Sequence, residues 1–289
     1  MLSAGQTIQA LHRELVKEIG RTYDPAESRS LARLVLEHLG YPEQTLLQDP
    51  RHVPAEPLVD QINKITALIH KNQPIQYILG ETEFYGIPLK VNRHVLIPRQ
   101  ETELLAEHVI LSGARRHPQI VEIGTGSGCL ALALKKHIPH ARILATDLSA
   151  KALETARRNA EMHRMEIAFV QHHILGEAPL PLDGPVNILV SNPPYVRQRE
   201  RTQMHPNVTD HEPASALFVP DHDPLRFYRA IAAFASRQLH PHGTVWVEIN
   251  EALGRETEEV FHAYGFTQTS RIRDLQNKDR IIKAERDHG

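Results

Sequence analysis

Gln119-Ile120-Val121-Glu122-Ile123-Gly124-Thr125-Gly126-Ser127-Gly128 is a short apolar run that breaks into three glycines at alternate positions. A run of this length ending in a turn signal reads as a strand buried on both faces, the kind found inside parallel sheets. Beyond it the pattern alternates: residues 130–137 carry helical spacing, 142–146 form a second strand and 150–163 a second helix. Residues 167–170, 186–190 and 244–249 read as further strands, and 267–271 with 280–283 as the last two. Strands alternating with helices predict an α/β, Rossmann-like domain, a mainly parallel sheet with helices on both faces.

Ligands of such sheets bind outside the carboxyl ends of the strands, where the strand order reverses. Gly124, Gly126 and Gly128, with Thr125 and Ser127 between them, let the backbone turn sharply and approach a ligand without an intervening side chain. Asp147 closes the second strand, nineteen residues after Gly128, where a carboxylate can accept hydrogen bonds from two ribose hydroxyls. A nicotinamide dinucleotide site shares both features. Its Gly-x-Gly-x-x-Gly fingerprint needs glycine at position 129, however, and this chain has Cys129. The spacing suits a cofactor with no pyrophosphate to cradle; a structural turn or another nucleotide ligand are the alternatives for this loop taken alone.

Ser191-Asn192-Pro193-Pro194-Tyr195 follows the apolar strand at 186–190. Each proline fixes its own φ and drives the residue before it out of the helical region, which predicts a rigid extended loop beside the cofactor. Prolines donate no N–H, so local carbonyls are left to accept from something else. A carboxamide NH2 fits that description. Its lone pair is delocalised, as in a peptide bond, so the nitrogen is a feeble nucleophile. Two acceptors, the Asn192 side-chain oxygen and the Pro193 carbonyl, would hold both N–H groups and stabilise the positive charge that grows on nitrogen as it attacks an activated methyl. Tyr195 would wall the site and stack on the planar group. A plain turn is the bland alternative, and the order of motifs along the chain weighs against it.

The first 73 residues have a different character. Ile8, Leu11, Leu15 and Ile19 repeat at helical steps, and Asp24-Pro25-Ala26-Glu27 has the form of a helix start. Leu31, Leu34, Val35 and Leu39 make a second stripe; Leu58, Ile62, Ile65, Leu68 and Ile69 make a third. Three or four short helices are expected here, a small bundle with no motif for chemistry. Residues 74–98, punctuated by Gly and Pro, read as a connector with a β-hairpin, and the second domain runs over 99–289 from a helix at 102–111.

Bulk properties remove some classes of function. No apolar run is long enough to cross a bilayer, and the first ten residues lack the basic start and apolar stretch of a signal peptide. Cys129 is the single cysteine, so no intramolecular disulfide can form, which suits a cytoplasmic protein. A net charge of −2 disfavours a direct nucleic-acid partner. The 19 histidines, including His172-His173 and Asp221-His222-Asp223, are scattered without metal-ligand spacing, so no metal is expected.

Taken in order, these motifs resemble the HemK/PrmC family of peptide chain release factor N(5)-glutamine methyltransferases. The likeness spans nearly the whole chain, through Pro74-Ile75-Gln76-Tyr77-Ile78-Leu79-Gly80, Leu96-Ile97-Pro98-Arg99-Gln100-Glu101-Thr102-Glu103, His211-Glu212-Pro213, Leu225-Arg226-Phe227-Tyr228 and Arg273-Asp274-Leu275 with Asp279-Arg280. The resemblance implies a seven-stranded S-adenosylmethionine methyltransferase domain after a small helical bundle. It implies that Gly124, Thr125, Gly126, Ser127 and Gly128 line the methionine and ribose side of S-adenosylmethionine and that Asp147 holds the ribose. It further implies that Asn192 touches both cofactor and substrate, and that Pro193, Pro194 and Tyr195 complete a glutamine pocket. The implied acceptor is the glutamine of Gly-Gly-Gln in peptide chain release factors, held in part by the helical domain. The chain departs from the family pattern at His172-His173-Ile174, where Gly-Asp and an aromatic residue are usual beside the adenine, and at Gln100, usually proline.

Three rivals stand beside this reading. An N(6)-adenine methyltransferase faces the same chemical problem, and Arg197, Arg199 and Arg201 follow the motif, but it should show a basic approach surface. A ribosomal-protein glutamine methyltransferase is disfavoured by the connector motif. An inactive cofactor-binding scaffold would have no need of Asn192 to Tyr195.

Overall fold

The computed structural model describes residues 2–113, 117–176 and 178–286, which divide into two units. The first holds the residues up to Gly80 together with Pro206–His211. Its helices are α1 (Ile8–Ile19), α2 (Pro25–His38), α3 (Glu43–Gln48), α4 (Glu56–Ile69) and α5 (Ile75–Leu79), two short ones more than the stripes alone indicate. The Asp24 carboxylate accepts from the backbone N–H groups of Ala26 and Glu27 at 2.7 and 3.0 Å, and Pro25 opens α2. The expected stripes shift slightly. On α2 the buried face is Leu31, Ala32, Val35 and Leu36, leaving Leu34 38% exposed. On α4 the inward place goes to Thr66 rather than Leu68, because the Thr66 hydroxyl donates to the Ile62 carbonyl at 2.7 Å and so enters the core satisfied.

The second unit begins at Glu81. The 74–98 stretch is thus divided: α5 ends at Gly80, whose φ of +74° makes it a left-handed helix stop, and a hairpin follows. Strands β1 (Glu81–Phe84) and β2 (Ile87–Lys90) are antiparallel, with Tyr85 and Gly86 both at positive φ as a type I′ turn demands. Phe84, Ile87 and Leu89 are buried in the core of the sheet, which ties the hairpin to this unit. The order continues α6 (Gln100–Leu111), β3 (Gln119–Ile123), α7 (Cys129–His137), β4 (Arg142–Asp147), α8 (Ala150–Met162), β5 (Ala168–Gln171), β6 (Val186–Ser191) and β7 (Val196–Arg197). After α9 (Pro206–Thr209), which belongs to the first unit, come α10 (Ala214–Leu217), β8 (Phe218–Val219), α11 (Arg226–Gln238), β9 (Leu239–Glu248), α12 (Gly254–Ala263), β10 (Gln268–Arg273) and β11 (Asp279–Glu285).

Seven strands form one sheet in the order β10-β11-β9-β6-β3-β4-β5. The run from β9 to β5 is parallel, and β11 is antiparallel to both its neighbours. Alternation buries both faces: Ile120, Ile143 and Ala145 pack into a core with α6, α7 and the hairpin, while Val121, Ile123 and Leu144 pack into another with α11 and α12. The order reverses at β3, which lies between β4 and β6, so the loops after β3 and β6 diverge there. Asn159 of α8 fastens this edge. It is fully buried, exchanges hydrogen bonds with the backbone of Lys90 at 2.7 and 2.9 Å, and donates to the Ser127 carbonyl at 2.9 Å.

Candidate active site

A cavity of about 350 Å³ opens at the carboxyl ends of β3, β4 and β6, a size that suits a small-molecule site. Gly124, Thr125, Gly126, Ser127, Asp147, Asn192, Pro193 and Pro194 all line it, so the two motifs read separately in the sequence share one space.

The glycine loop is held by its own backbone. The N–H groups of Gly124 and Thr125 both donate to the Thr146 carbonyl at 2.8 Å, that of Gly126 to Asp147 Oδ2 at 2.9 Å, and that of Gly128 to the Thr125 carbonyl at 2.8 Å. Donors already spent in this way cannot cradle a phosphate, which agrees with the absence of the dinucleotide spacing. Gly128 itself does not line the cavity. Its φ is +82°, and a Cβ there would lie 2.9 Å from Leu132 Cδ1 and 3.1 Å from the Ala156 Cβ, so glycine serves the packing of α7 against α8.

Asp147 Oδ1 accepts from the Ser149 N–H at 2.8 Å. Burial raises its pKa above the usual carboxylate value, opposed by the backbone N–H groups of Ser149, Gly126 and Leu148. Leu148, 54% exposed, lines the cavity beside it with Ala152 and Ile174, an apolar bed for a planar base. His172 and His173 also line it; the His172 backbone N–H donates to the Asp147 carbonyl at 2.9 Å, and burial, with His173 beside it, lowers the His172 pKa. The Ser127 hydroxyl is buried beside the Cys129 thiol. A carboxylate at the end of β4, apolar side chains, an imidazole and a buried hydroxyl around one cavity are a chemistry that would fit an adenosine-bearing cofactor without phosphates.

Asn192 stands on the other side of the cavity. Its Nδ2 donates to Thr102 Oγ1 at 2.9 Å, and the Thr102 hydroxyl donates to Glu248 Oε2 at 2.8 Å. Tyr195 does not line the cavity: its hydroxyl donates to Glu248 Oε1 at 2.8 Å, because a buried phenol needs an acceptor and this one lies across the loop. The rim is joined by Glu212, whose buried carboxylate accepts from the Ile97 N–H at 3.0 Å and pairs with the Arg99 guanidinium at 2.5 Å. Two stretches singled out in the sequence, Ile97-Pro98-Arg99 and Glu212-Pro213, thereby meet at the cavity mouth. Gln100 is the first residue of α6, a place proline fills equally well. Among the described residues no three His, Cys, Asp or Glu side chains are grouped to hold a metal ion.

The family model of the methyltransferase small domain matches residues 100–211. A release factor glutamine methyltransferase of Flavobacterium psychrophilum is 44% identical over 220 residues, 75% of this chain and 76% of its own length. That of Bacteroides thetaiotaomicron is 37% identical over 286 residues, covering 96% and 99%. The chain belongs to the release factor glutamine methyltransferase family. A solved methyltransferase from Pyrococcus furiosus shares the fold, with a TM-score of 0.51, 17% identity, and 80% of this chain and 98% of that one covered. The resemblance read from the motifs and the seven-stranded α/β methyltransferase fold both stand.

Three groups at or beneath the cavity are given no role by the motifs: Glu122 and Thr102, which line it, and Glu248, which lies beneath the Asn192 loop. Glu122 accepts from the Thr125 hydroxyl at 2.7 Å beneath the glycine loop, and burial pushes its pKa up to about 7. Glu248 lies beneath the Asn192 loop, and burial likewise pushes it up to about 7. Both had a signal in the sequence, a carboxylate inside an otherwise apolar strand run, Ile120-Val121-Glu122-Ile123 and Trp246-Val247-Glu248-Ile249. Thr102 had none beyond its place in the connector motif.

Proposed function

We propose that this enzyme transfers the methyl group of S-adenosylmethionine to the side-chain amide nitrogen of the glutamine in the Gly-Gly-Gln motif of peptide chain release factors, in the cytoplasm. The carrying observation is the place of Asn192-Pro193: both line the cavity that Asp147 and the glycine loop also line, and the Asn192 nitrogen is already committed to Thr102. That commitment leaves Oδ1 as the end available to an acceptor N–H.

In this reading Asn192 Oδ1 and the Pro193 carbonyl accept the two N–H bonds of the glutamine amide, holding its nitrogen in line with the methyl group. Positioning of this kind is worth about 7–11 kcal/mol. When bound, S-adenosylmethionine would supply an electrophilic methyl on a sulfonium, the sulfur keeping the electron pair of the C–S bond as the amide nitrogen's lone pair forms the new N–C bond. Positive charge growing on nitrogen meets two fixed acceptor dipoles, and the N–H becomes acidic enough to leave as a proton without a strong base. Asp147 would hold the ribose, Ser127 would add a hydroxyl on the loop side, and Leu148 and Ile174 would flank the adenine, with His172 at its edge. The helical first unit would help to hold the protein substrate.

The test is transfer of labelled methyl to a release factor and to its Gly-Gly-Gln→Gly-Gly-Ala variant. Label on the first alone is expected. Label on neither, with cofactor bound, would contradict the proposal and turn attention to adenine or ribosomal-protein acceptors.

A further inference from the structure

A carboxamide has two ends of similar size and opposite hydrogen-bonding sense, so the end of Asn192 that faces the cavity decides what the cavity can bind. Two hydrogen bonds set that choice. Nδ2 donates to Thr102 Oγ1, and the single Thr102 proton goes to Glu248 Oε2. An ionised carboxylate only accepts, so Thr102 must donate to it and can then only accept from Asn192. The other oxygen of Glu248 takes the hydroxyl of Tyr195, three residues along the same loop. One buried carboxylate, at the end of β9, thus holds both the amide and the loop that carries it.

We propose that Glu248 is a positioning residue of the methyl-acceptor site: through Thr102 it fixes the Asn192 amide with Oδ1 toward the cavity, and through Tyr195 it fixes the loop. The inference rests on the acceptor role given to Asn192 above. Glu248 is fully buried and, among the described residues, its carboxylate hydrogen bonds come from the neutral hydroxyls of Thr102 and Tyr195, a costly arrangement that a neutral side chain of like shape would avoid. The groups that face it are Thr102 and Glu101 from α6, Tyr195 from its loop, Arg280 from β11, Tyr228 from α11 and Cys129 from α7. Burial pushes its pKa up to about 7, so its charge changes in an accessible range. A protonated Glu248 can donate to Thr102, which then donates to Asn192; the amide reverses and presents NH2 to the acceptor.

Transfer to a release factor at saturating S-adenosylmethionine, between about pH 6 and about pH 8, tests this. The wild-type kcat is expected to fall as pH drops through about 7. Glu248→Gln is expected to lower kcat about 100-fold and to abolish that acidic limb, with cofactor affinity and KM for the release factor little changed. Thr102→Val should reproduce the loss, and Thr102→Ser should recover most of it. A second readout needs no acceptor: the Asn192 side-chain amide resonance of nitrogen-labelled protein should shift through about pH 7 in the wild type and stay fixed in Glu248→Gln. Full kcat with an unaltered acidic limb in Glu248→Gln, or an Asn192 resonance indifferent to that change, would overturn the positioning role. An inactive wild type whose Asn192 resonance behaves as stated would overturn the release-factor reading and leave the positioning role standing.

Discussion

The loops after β3 and β6 leave neighbouring strands at one edge of the sheet and are held in opposite ways. The glycine loop is tied through its own backbone N–H groups, to the carbonyls of Thr146 and Thr125 and to the Asp147 carboxylate. The Asn192 loop is tied by two side chains 90 and 53 residues distant along the chain, Asn192 to Thr102 and Tyr195 to Glu248, and Thr102 in turn donates to Glu248. A loop fixed by backbone responds mainly to changes in its glycines. A loop fixed by remote side chains can be disarmed one link at a time, with the other half of the site intact. Each rests on a buried carboxyl, Glu122 under the first and Glu248 under the second.

The sharpest break of this comparison is Asn192→Ala. It should lower turnover by about 10²–10³-fold, the scale of losing one fixed hydrogen-bonding group at a developing charge, while leaving S-adenosylmethionine binding nearly unchanged by calorimetry. Gly128→Ala comes next and should act on the fold. The added Cβ meets Leu132 and Ala156 at positive φ, so a loss of about 2–4 kcal/mol is expected in urea unfolding.

Glu122→Gln probes the carboxyl under the backbone-held loop. Its folded pKa of about 7 lies above the ordinary 4.5, so the folded chain binds the extra proton between those values. The group therefore favours folding at low pH, and that contribution is lost as pH rises from about 4.5 to about 7. Removing the charge should stabilise the protein by about 1–3 kcal/mol near pH 8 and flatten the decline, measured by urea unfolding across that range. Gly126→Ala has the smallest expected effect. No atom lies within 4 Å of its Cβ position, so only the left-handed backbone is strained, by about 1–2 kcal/mol.

The same contrast explains what could be read from the sequence. The glycine loop, Asp147 and the alternation of strands and helices are local patterns, set by backbone requirements and periodicity over a few residues. Asn192-Pro193-Pro194 was legible for the same reason, since two prolines dictate their own geometry. The motifs place Tyr195 and Gly128 at the ligand, whereas the structure turns the Tyr195 hydroxyl to Glu248 and packs Gly128 between α7 and α8. Their partners, on β9 and α8, become neighbours only when the sheet is assembled. Thr102 shows the limit most plainly: nothing near it in the chain marks a hydroxyl that must sit between Asn192 and Glu248. The two buried glutamates were half-legible, because a carboxylate inside an apolar strand has no reason in packing.

The most direct measurement is a single turnover of enzyme loaded with labelled S-adenosylmethionine, with binding confirmed by calorimetry and the release-factor product mapped by mass spectrometry. One methyl on the amide nitrogen of the Gly-Gly-Gln glutamine is the predicted result, formed about 10²–10³-fold more slowly with Asn192→Ala although the cofactor still binds. Methyl found on another group, or transfer undiminished in Asn192→Ala, would contradict the account.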